Sequence, residues 1–305
     1  MKTALFSVSY AGLWGQEALC LEDFICKAAA LGYQGVELMG KRPHASPLDI
    51  TPDGRKALRD LLGERGVEVA CVAAYTDFTG GLRAAEVPFG EMQVAYVAAL
   101  AQMAADLGGN LVRVFTGYDD TARDFTLQWD LCVRAVRECC HRAADLGVTI
   151  GVQNHHDIAV YTAALGEFIA EVDRPNCRAM FDAWSPALRG EDLRAAAQAM
   201  APLMAYTTCA DYVRLPRFHY RPAYVNYAAA ECDHVRAVPM GEGCIDYKAF
   251  FAGLKAGVYD GWIAYEMCSP LRGGGSEENL DACARRFLEY VNATWQALGA
   301  ARSLP

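Results

Sequence analysis

One repeat constrains this chain more than any other feature: a helical run ends at a glycine, and a short apolar run rich in β-formers follows almost at once. Leu31-Gly32, Arg65-Gly66, Leu107-Gly108 and Leu146-Gly147 all carry it. Glycine just past a helix provides the left-handed residue that terminates it. Strand-type runs are expected at residues 3–9, 35–39, 67–73, 111–116, 148–153, 179–182, 204–208 and 262–266. Helical patterns lie between them, at 22–31, 51–65, 90–107, 128–146, 163–172, 191–201 and 247–256, with a last one at 277–298. Their apolar residues recur at three- and four-residue spacing, as in Leu131, Ala135, Val136 and Cys139. Eight alternating units predict the α/β class and a closed parallel (β/α)₈ TIM barrel. An open doubly wound sheet is the alternative, and the lack of GxGxxG after the first run counts against its dinucleotide-binding form.

The 305 residues accommodate one barrel domain spanning 1–305, since such barrels need about 250 and carry insertions. Two segments break the rhythm. The first is 75–89. The second, 211–243, is read as a long loop over the C-terminal face and holds Arg214, Arg217, His219, Tyr220, Arg221, Tyr224 and Tyr227. Loops this long act as lids or as contacts, and their aromatic and Arg content suits either role, which leaves a homo-oligomer open.

Composition narrows the function classes. A formal charge of −9 without a basic stretch argues against nucleic acid and anionic membranes as partners. No apolar run approaches the roughly 20 residues of a membrane span, and residues 1–15 do not read as a signal peptide. Twelve cysteines are scattered without a CxxC pair. Free thiols in a reducing, cytoplasmic setting explain them better than disulfides or zinc.

Polar residues gather where the strand runs end: Ser7, Ser9 and Tyr10, then Glu37, Arg113, Gln153 through Asp157, Asp182, Thr208 and Glu266. Inside a barrel such groups are costly unless they line a pocket or pair with one another. Alternation along a strand lets Gln153 and His155 face one way and Asn154 the other. Glu266 closes an apolar run, so a functional carboxylate is favoured there. Asp182 suits a pocket but also a helix cap. Arg113 serves either a substrate or an internal ion pair with Glu37 or Asp182. Trp184 and Tyr10 either stack on a sugar face or simply pack. Gly273-Gly274-Gly275-Ser276 precedes a helix start, where Ser276 is a good N-cap. Glu277 and Glu278 in its first turn would repel phosphate, so a non-phosphorylated substrate is expected.

Several segments together resemble the xylose-isomerase-like sugar phosphate isomerase/epimerase superfamily. They are Gly32-Tyr33-Gln34-Gly35-Val36-Glu37, Gln153-Asn154-His155, Phe181-Asp182-Ala183-Trp184, and the stretch from Val238-Pro239-Met240-Gly241-Glu242-Gly243 through Tyr259-Asp260-Gly261-Trp262 to Glu266. The resemblance covers nearly the whole chain. It implies a divalent metal held by Glu, Asp, His and Glu from strands five to eight, with flanking carboxylates moving protons. Asp182 and Glu266 match two of those positions. Gln153 stands for the first Glu and Thr208 for the His. The implied ligand set is therefore Asp182, Glu266 and Gln153 around Mn²⁺ or Mg²⁺, with His155 or His219 as a replacement ligand.

The implied function is a sugar, ketose or polyol isomerase or epimerase working by α-proton transfer, with divalent-metal assistance. Glu266 is the catalytic candidate and His155 its partner; Arg113, Glu37, Trp184, Tyr10 and His219 are the substrate-contact candidates. A lyase or dehydratase acting on a keto-inositol or 3-keto-sugar uses the same proton abstraction. A barrel that binds a sugar or a partner without catalysis is the reading outside enzymes, and Gln153 and Thr208 are its argument.

Overall fold

The computed structural model describes residues 1–83 and 86–300. Positions 84 and 85 of the expected 75–89 loop, and 301–305 of the expected domain, lie outside them. In chain order the first seven strands are β1 (Lys2–Phe6), β2 (Gly35–Met39), β3 (Glu68–Ala73), β4 (Leu111–Val114), β5 (Thr149–Gln153), β6 (Cys177–Met180) and β7 (Met204–Cys209). Then come β8 (Asp211–Leu215), β9 (Phe218–Arg221), β10 (Asn226–Ala229), β11 (His234–Val238) and β12 (Trp262–Tyr265). Strands β1 to β7 and β12 form a closed ring of eight parallel strands. The ring closes where β1 pairs with β12, from Lys2 opposite Trp262 to Leu5 opposite Tyr265. The expected closed barrel is the observed one, and the open sheet is excluded.

The helices are α1 (Leu21–Leu31), α2 (Pro52–Arg65), α3 (Phe89–Asp106), α4 (Phe125–Ala144), α5 (Thr162–Val172), α6 (Trp184–Leu188), α7 (Leu193–Met200), α8 (Tyr247–Ala256) and α9 (Glu277–Ala300). Gly32, Gly66, Gly108 and Gly147 all take positive φ, between 66° and 91°, as the repeat requires. Asp124 caps α4 by accepting from Leu127 N, which starts that helix three residues before its apolar pattern shows. The short α6 was not foreseen. Strand β1 is shorter than expected: residues 7–10 turn tightly, and the Ser7 and Ser9 hydroxyls accept from Met39 N at 2.8 Å and Met267 N at 2.9 Å. These two serines fasten β1 to both neighbouring strand ends. Among the described residues, no helix is long and apolar enough to cross a membrane.

Apolar burial forms two shells. A large cluster fills the space between ring and helices, with Phe24, Leu38, Val97, Val136, Phe168 and Phe250 among its members. A small one, including Ala4, Cys71, Leu111, Met180, Tyr206 and Ala264, plugs the barrel interior. The interior is thus packed, and open space remains only towards the C-terminal strand ends.

The 211–243 segment is not irregular. It folds into two antiparallel pairs, β8 with β11 and β9 with β10. Its base is pinned by Asp211, whose Oδ2 accepts from Gly241 N and Gly243 N, both at 2.9 Å. A Cβ at Gly243 would collide with the Asp211 carboxylate, which gives a physical reason for glycine in this stretch. Gly243→Ala should destabilise the protein by about 1–3 kcal/mol, the usual cost of overpacking, seen as a lower denaturation midpoint. An unchanged midpoint would show that the loop base yields freely.

Candidate active site

The strand ends enclose a cavity of about 560 Å³. Arg113 (on β4), Gln153 (at the end of β5), His155 and Glu266 line it, as do Lys41, Tyr75, Phe115 and Cys268. A recess of about 50 Å³ adjoins it, lined by Asp182, Trp184, Thr208 and Tyr212. His155, Glu266 and Cys268 face both spaces.

Asp182 is the knot of the site. Its Oδ1 accepts from the backbone N–H of Thr208 at 2.7 Å and from Thr207 Oγ1 at 3.4 Å. Its Oδ2 accepts from the Gln153 amide. Its backbone is tied to Asn154: Asp182 N donates to Asn154 Oδ1 at 2.7 Å, and Asn154 Nδ2 donates to Asp182 O at 3.0 Å. Alternation predicted this division of labour, with Gln153 turned to the cavity and Asn154 bracing the neighbouring strand end.

Arg113 is buried and lies over the rings of Phe115, Tyr75 and Phe6, with its guanidinium carbon 4.2, 4.8 and 5.4 Å from the ring centroids. Its Nη2 donates to Ala74 O at 3.1 Å, and Nη1 stands 3.9 Å from Glu37 Oε1. The expected internal ion pair with Glu37 is therefore present but loose. Among the described residues, Arg113 Nε, Gln153 Oε1 and Glu37 Oε1 have no hydrogen-bond partner. Two of these unpartnered atoms belong to cavity-lining side chains, as a site for a polar ligand requires.

Burial dominates the proton affinities. It raises Glu37 to about 8, against the pull of Arg113. It raises Asp182 to about 7, against the Thr208 N–H, while Glu266 adds repulsion. Glu266 is raised too, with Arg113 and the Cys268 thiol pulling the other way. His155 is lowered by the crowding of protein atoms around its ring, by His156 and by Arg113, although the residue is exposed at the mouth of the cavity. His156 N donates to His155 Nδ1 at 2.8 Å, which leaves the proton of the neutral ring on Nε2. His155 is thus a neutral donor and a weak base.

The structure separates the candidates. Glu266, His155, Arg113 and Gln153 meet at the cavity; Asp182 and Trp184 meet at the recess, where Trp184 packs on Tyr212 with centroids 4.4 Å apart. Glu37 lies beneath, against Arg113. Two substrate-contact expectations are corrected. Tyr10 is fully buried and donates to Asp281 Oδ1 at 2.8 Å, so it braces α9 instead of lining the cavity. His219 sits exposed on β9, outside the cavity lining. Sequence reasoning missed Lys41, Tyr75 and Cys268. Cys268 was findable, because it follows Glu266 by two residues; the other two sit on loops, where no periodicity points.

The donor set does not fit a resident divalent ion. Both Asp182 oxygens are engaged by N–H and O–H donors. Thr208 lacks the imidazole of the implied set, and its hydroxyl leans on Glu37 Oε2 at 3.5 Å. Among the described residues, no three His, Cys, Asp or Glu side chains gather as ligands. Positive charge comes instead from the buried guanidinium.

A sequence model of the xylose isomerase-like TIM barrel matches residues 25–288. The chain belongs to that family. Xylose isomerase-like barrels of known structure superpose over nearly the whole chain. D-psicose 3-epimerase with D-tagatose, from Clostridium cellulolyticum H10, is 17% identical with a TM-score of 0.73, covering 97% of this chain and 99% of that one. The probable 3-DHS dehydratase AsbF from Bacillus anthracis is 17% identical with a TM-score of 0.71, covering 96% and 99%. A xylose isomerase domain protein from Alicyclobacillus acidocaldarius is 18% identical with a TM-score of 0.73, covering 97% and 99%. At such identities the likeness is one of fold. No curated protein matches the sequence.

Two outcomes test this site. Glu37 has a raised proton affinity, so its contribution to stability is whole below its ordinary value of 4.5 and is lost as pH rises through about 8. Glu37→Gln should therefore flatten the fall of the thermal midpoint between those pH values; an unchanged slope would mean the carboxylate is not desolvated. Gln153→Glu combined with Thr208→His should bind Mn²⁺ at least about tenfold more tightly than wild type in calorimetry, since it adds a charge and an imidazole beside Asp182. Equal affinity would show that these side chains do not converge on one point.

Proposed function

We propose that this barrel is an enzyme that moves a proton at the carbon beside the carbonyl of a sugar, ketose or polyol-derived substrate, as an isomerase or epimerase. The observation that carries the reading is the pairing, in one cavity, of the half-buried Glu266 carboxylate with the buried Arg113 guanidinium, whose Nε has no hydrogen-bond partner among the described residues. Deprotonation next to a carbonyl needs a base and a group that stabilises the enolate oxygen. Glu266 is the base. Arg113, desolvated and stacked on aromatic rings, faces the developing charge. Gln153 Oε1 and the His155 Nε2–H orient substrate hydroxyls. The size and polar floor of the cavity suit a small polyol. Family membership supports the reaction class, and this chain's own side chains supply the chemistry without a metal step.

One observation favours a lyase or dehydratase as the second reading. Asp182 lines the recess beside Glu266, and its proton affinity near neutrality would let it protonate a departing β-hydroxyl once the Gln153 amide swings away from its Oδ2. Proton abstraction is common to both readings, so one experiment tests their shared step. Keto-sugars and keto-inositols incubated in D₂O should exchange the α-proton, read by NMR. Glu266→Gln keeps size and hydrogen bonding and should lower that exchange by about 10²–10⁴-fold while sugar binding persists. Loss of a hydroxyl from the product would mark the lyase. Wild-type protein that binds these sugars and never exchanges the proton would leave only the binding-barrel reading.

A further inference from the structure

A cluster of exposed aromatic residues lies on an element that the site does not use. Strands β9 and β10 form a separate two-stranded sheet beyond the β8–β11 base. Their register puts Tyr220 opposite Tyr227 and Phe218 opposite Ala229, on one face. The two tyrosine rings lie 5.3 Å apart. His219 and Arg221, paired with Ala228 and Asn226, form the other face. The hairpin is thus amphipathic, yet its aromatic face is bare: Phe218, Tyr220, Tyr227, and Tyr224 and Val225 at the tip, are each between 51% and 81% exposed. A two-stranded hairpin alone in water is marginally stable at best. Contiguous exposed aromatics with arginine are the composition of an interface core.

Charge selects what covers it. Segment 212–230 contains Arg214, Arg217 and Arg221 and no Asp or Glu; Arg214 pairs with Asp233 at 3.0 Å, which leaves Arg217 and Arg221 for a partner. With the chain at −9 and this segment at +3, the rest carries −12. The body of this protein also offers a receptor of complementary make-up. A groove of about 830 Å³ runs between α4 and α5, beside the loops that follow β4 and β5. Phe125, Trp129 and Tyr161 give it aromatic walls, and Asp119, Asp157 and Glu167 outnumber its one guanidinium, Arg189. The hairpin of the same chain does not occupy it, since its aromatic residues face solvent.

We propose that each β9–β10 hairpin seats in the α4–α5 groove of a second copy of this chain, two copies exchanging hairpins about a two-fold axis. Exchange fills both grooves and leaves neither aromatic face bare, which makes the assembly closed. Aromatic burial supplies the affinity, and the Arg-to-carboxylate match supplies orientation and salt dependence. The exchanged hairpin would lie along the rim of the partner's cavity, because Asp157 of the groove directly follows His155 and His156 of the site.

Sedimentation equilibrium of the full chain tests this. Wild type should be a dimer whose dissociation constant rises steeply from low to high salt. Tyr220→Ser with Tyr227→Ser should weaken it at least about 30-fold, the scale of a lost hot spot. Arg217→Glu with Arg221→Glu should also weaken it, and adding Glu167→Arg should restore part of the loss. All these positions are exposed, and an unchanged barrel melt separates lost association from lost folding. A monomeric wild type overturns the proposal and assigns the hairpin to its own site or to another acidic partner. A dimer indifferent to the hairpin variants overturns it as well. Weakening without rescue by Glu167→Arg overturns the groove as receptor.

Discussion

Desolvation of charge at the strand ends is the constraint on which the rest of this structure depends. Closing eight parallel strands into a ring buries Glu37, Arg113 and Asp182 and half-buries Glu266 beside them. Each ionised group there must find a partner or hold a proton. Asp182 finds donors on three sides. Arg113 finds aromatic faces, one backbone carbonyl and a distant Glu37. Glu266 has the Cys268 thiol and the field of Arg113. The carboxylates accordingly hold protons more tightly than in water, and the site acquires groups suited to proton transfer near neutral pH.

Two side chains decide what kind of site this is. Gln153 brings an amide where a charged ligand would need a carboxylate, and it donates to Asp182. Thr208 brings a backbone N–H to the same carboxylate and a hydroxyl towards Glu37. Together they turn a potential ligand cluster into a hydrogen-bonded lattice. The negative charge that a metal would neutralise is met instead by N–H donors and a guanidinium. The barrel fold is shared with a D-psicose 3-epimerase and a probable dehydratase at identities of 17%, so the chemistry rests on these side chains and not on the fold.

The hairpin is the other departure from a bare barrel. It grows from the segment after β7, on the same end of the barrel as the site, and its base is locked by Asp211 and two glycine N–H groups. The base is pinned, and the aromatic tip beyond it faces solvent.

The alternating units, the glycine stops, the Ser276 cap and the set of polar strand ends were all legible in the amino-acid order, because helix termination, capping and side-chain alternation are local properties of the backbone. Glu266, Gln153 and Arg113 could be picked out for the same reason: a polar residue ending an apolar strand has few places to go. What local rules could not say was which polar ends meet. Tyr10 and Trp184 look alike as aromatics near strand ends, yet one donates to Asp281 across the barrel wall and the other lines the recess. His155 looked like a proton carrier until the crowding and positive charge of its neighbours His156 and Arg113 lowered its proton affinity. The 211–243 segment looked like loop because its strand pairs join residues up to 27 positions apart, and its aromatic face has no partner among the described residues. Those outcomes depend on distance and desolvation between residues remote in sequence, and only the closed tertiary structure decided them.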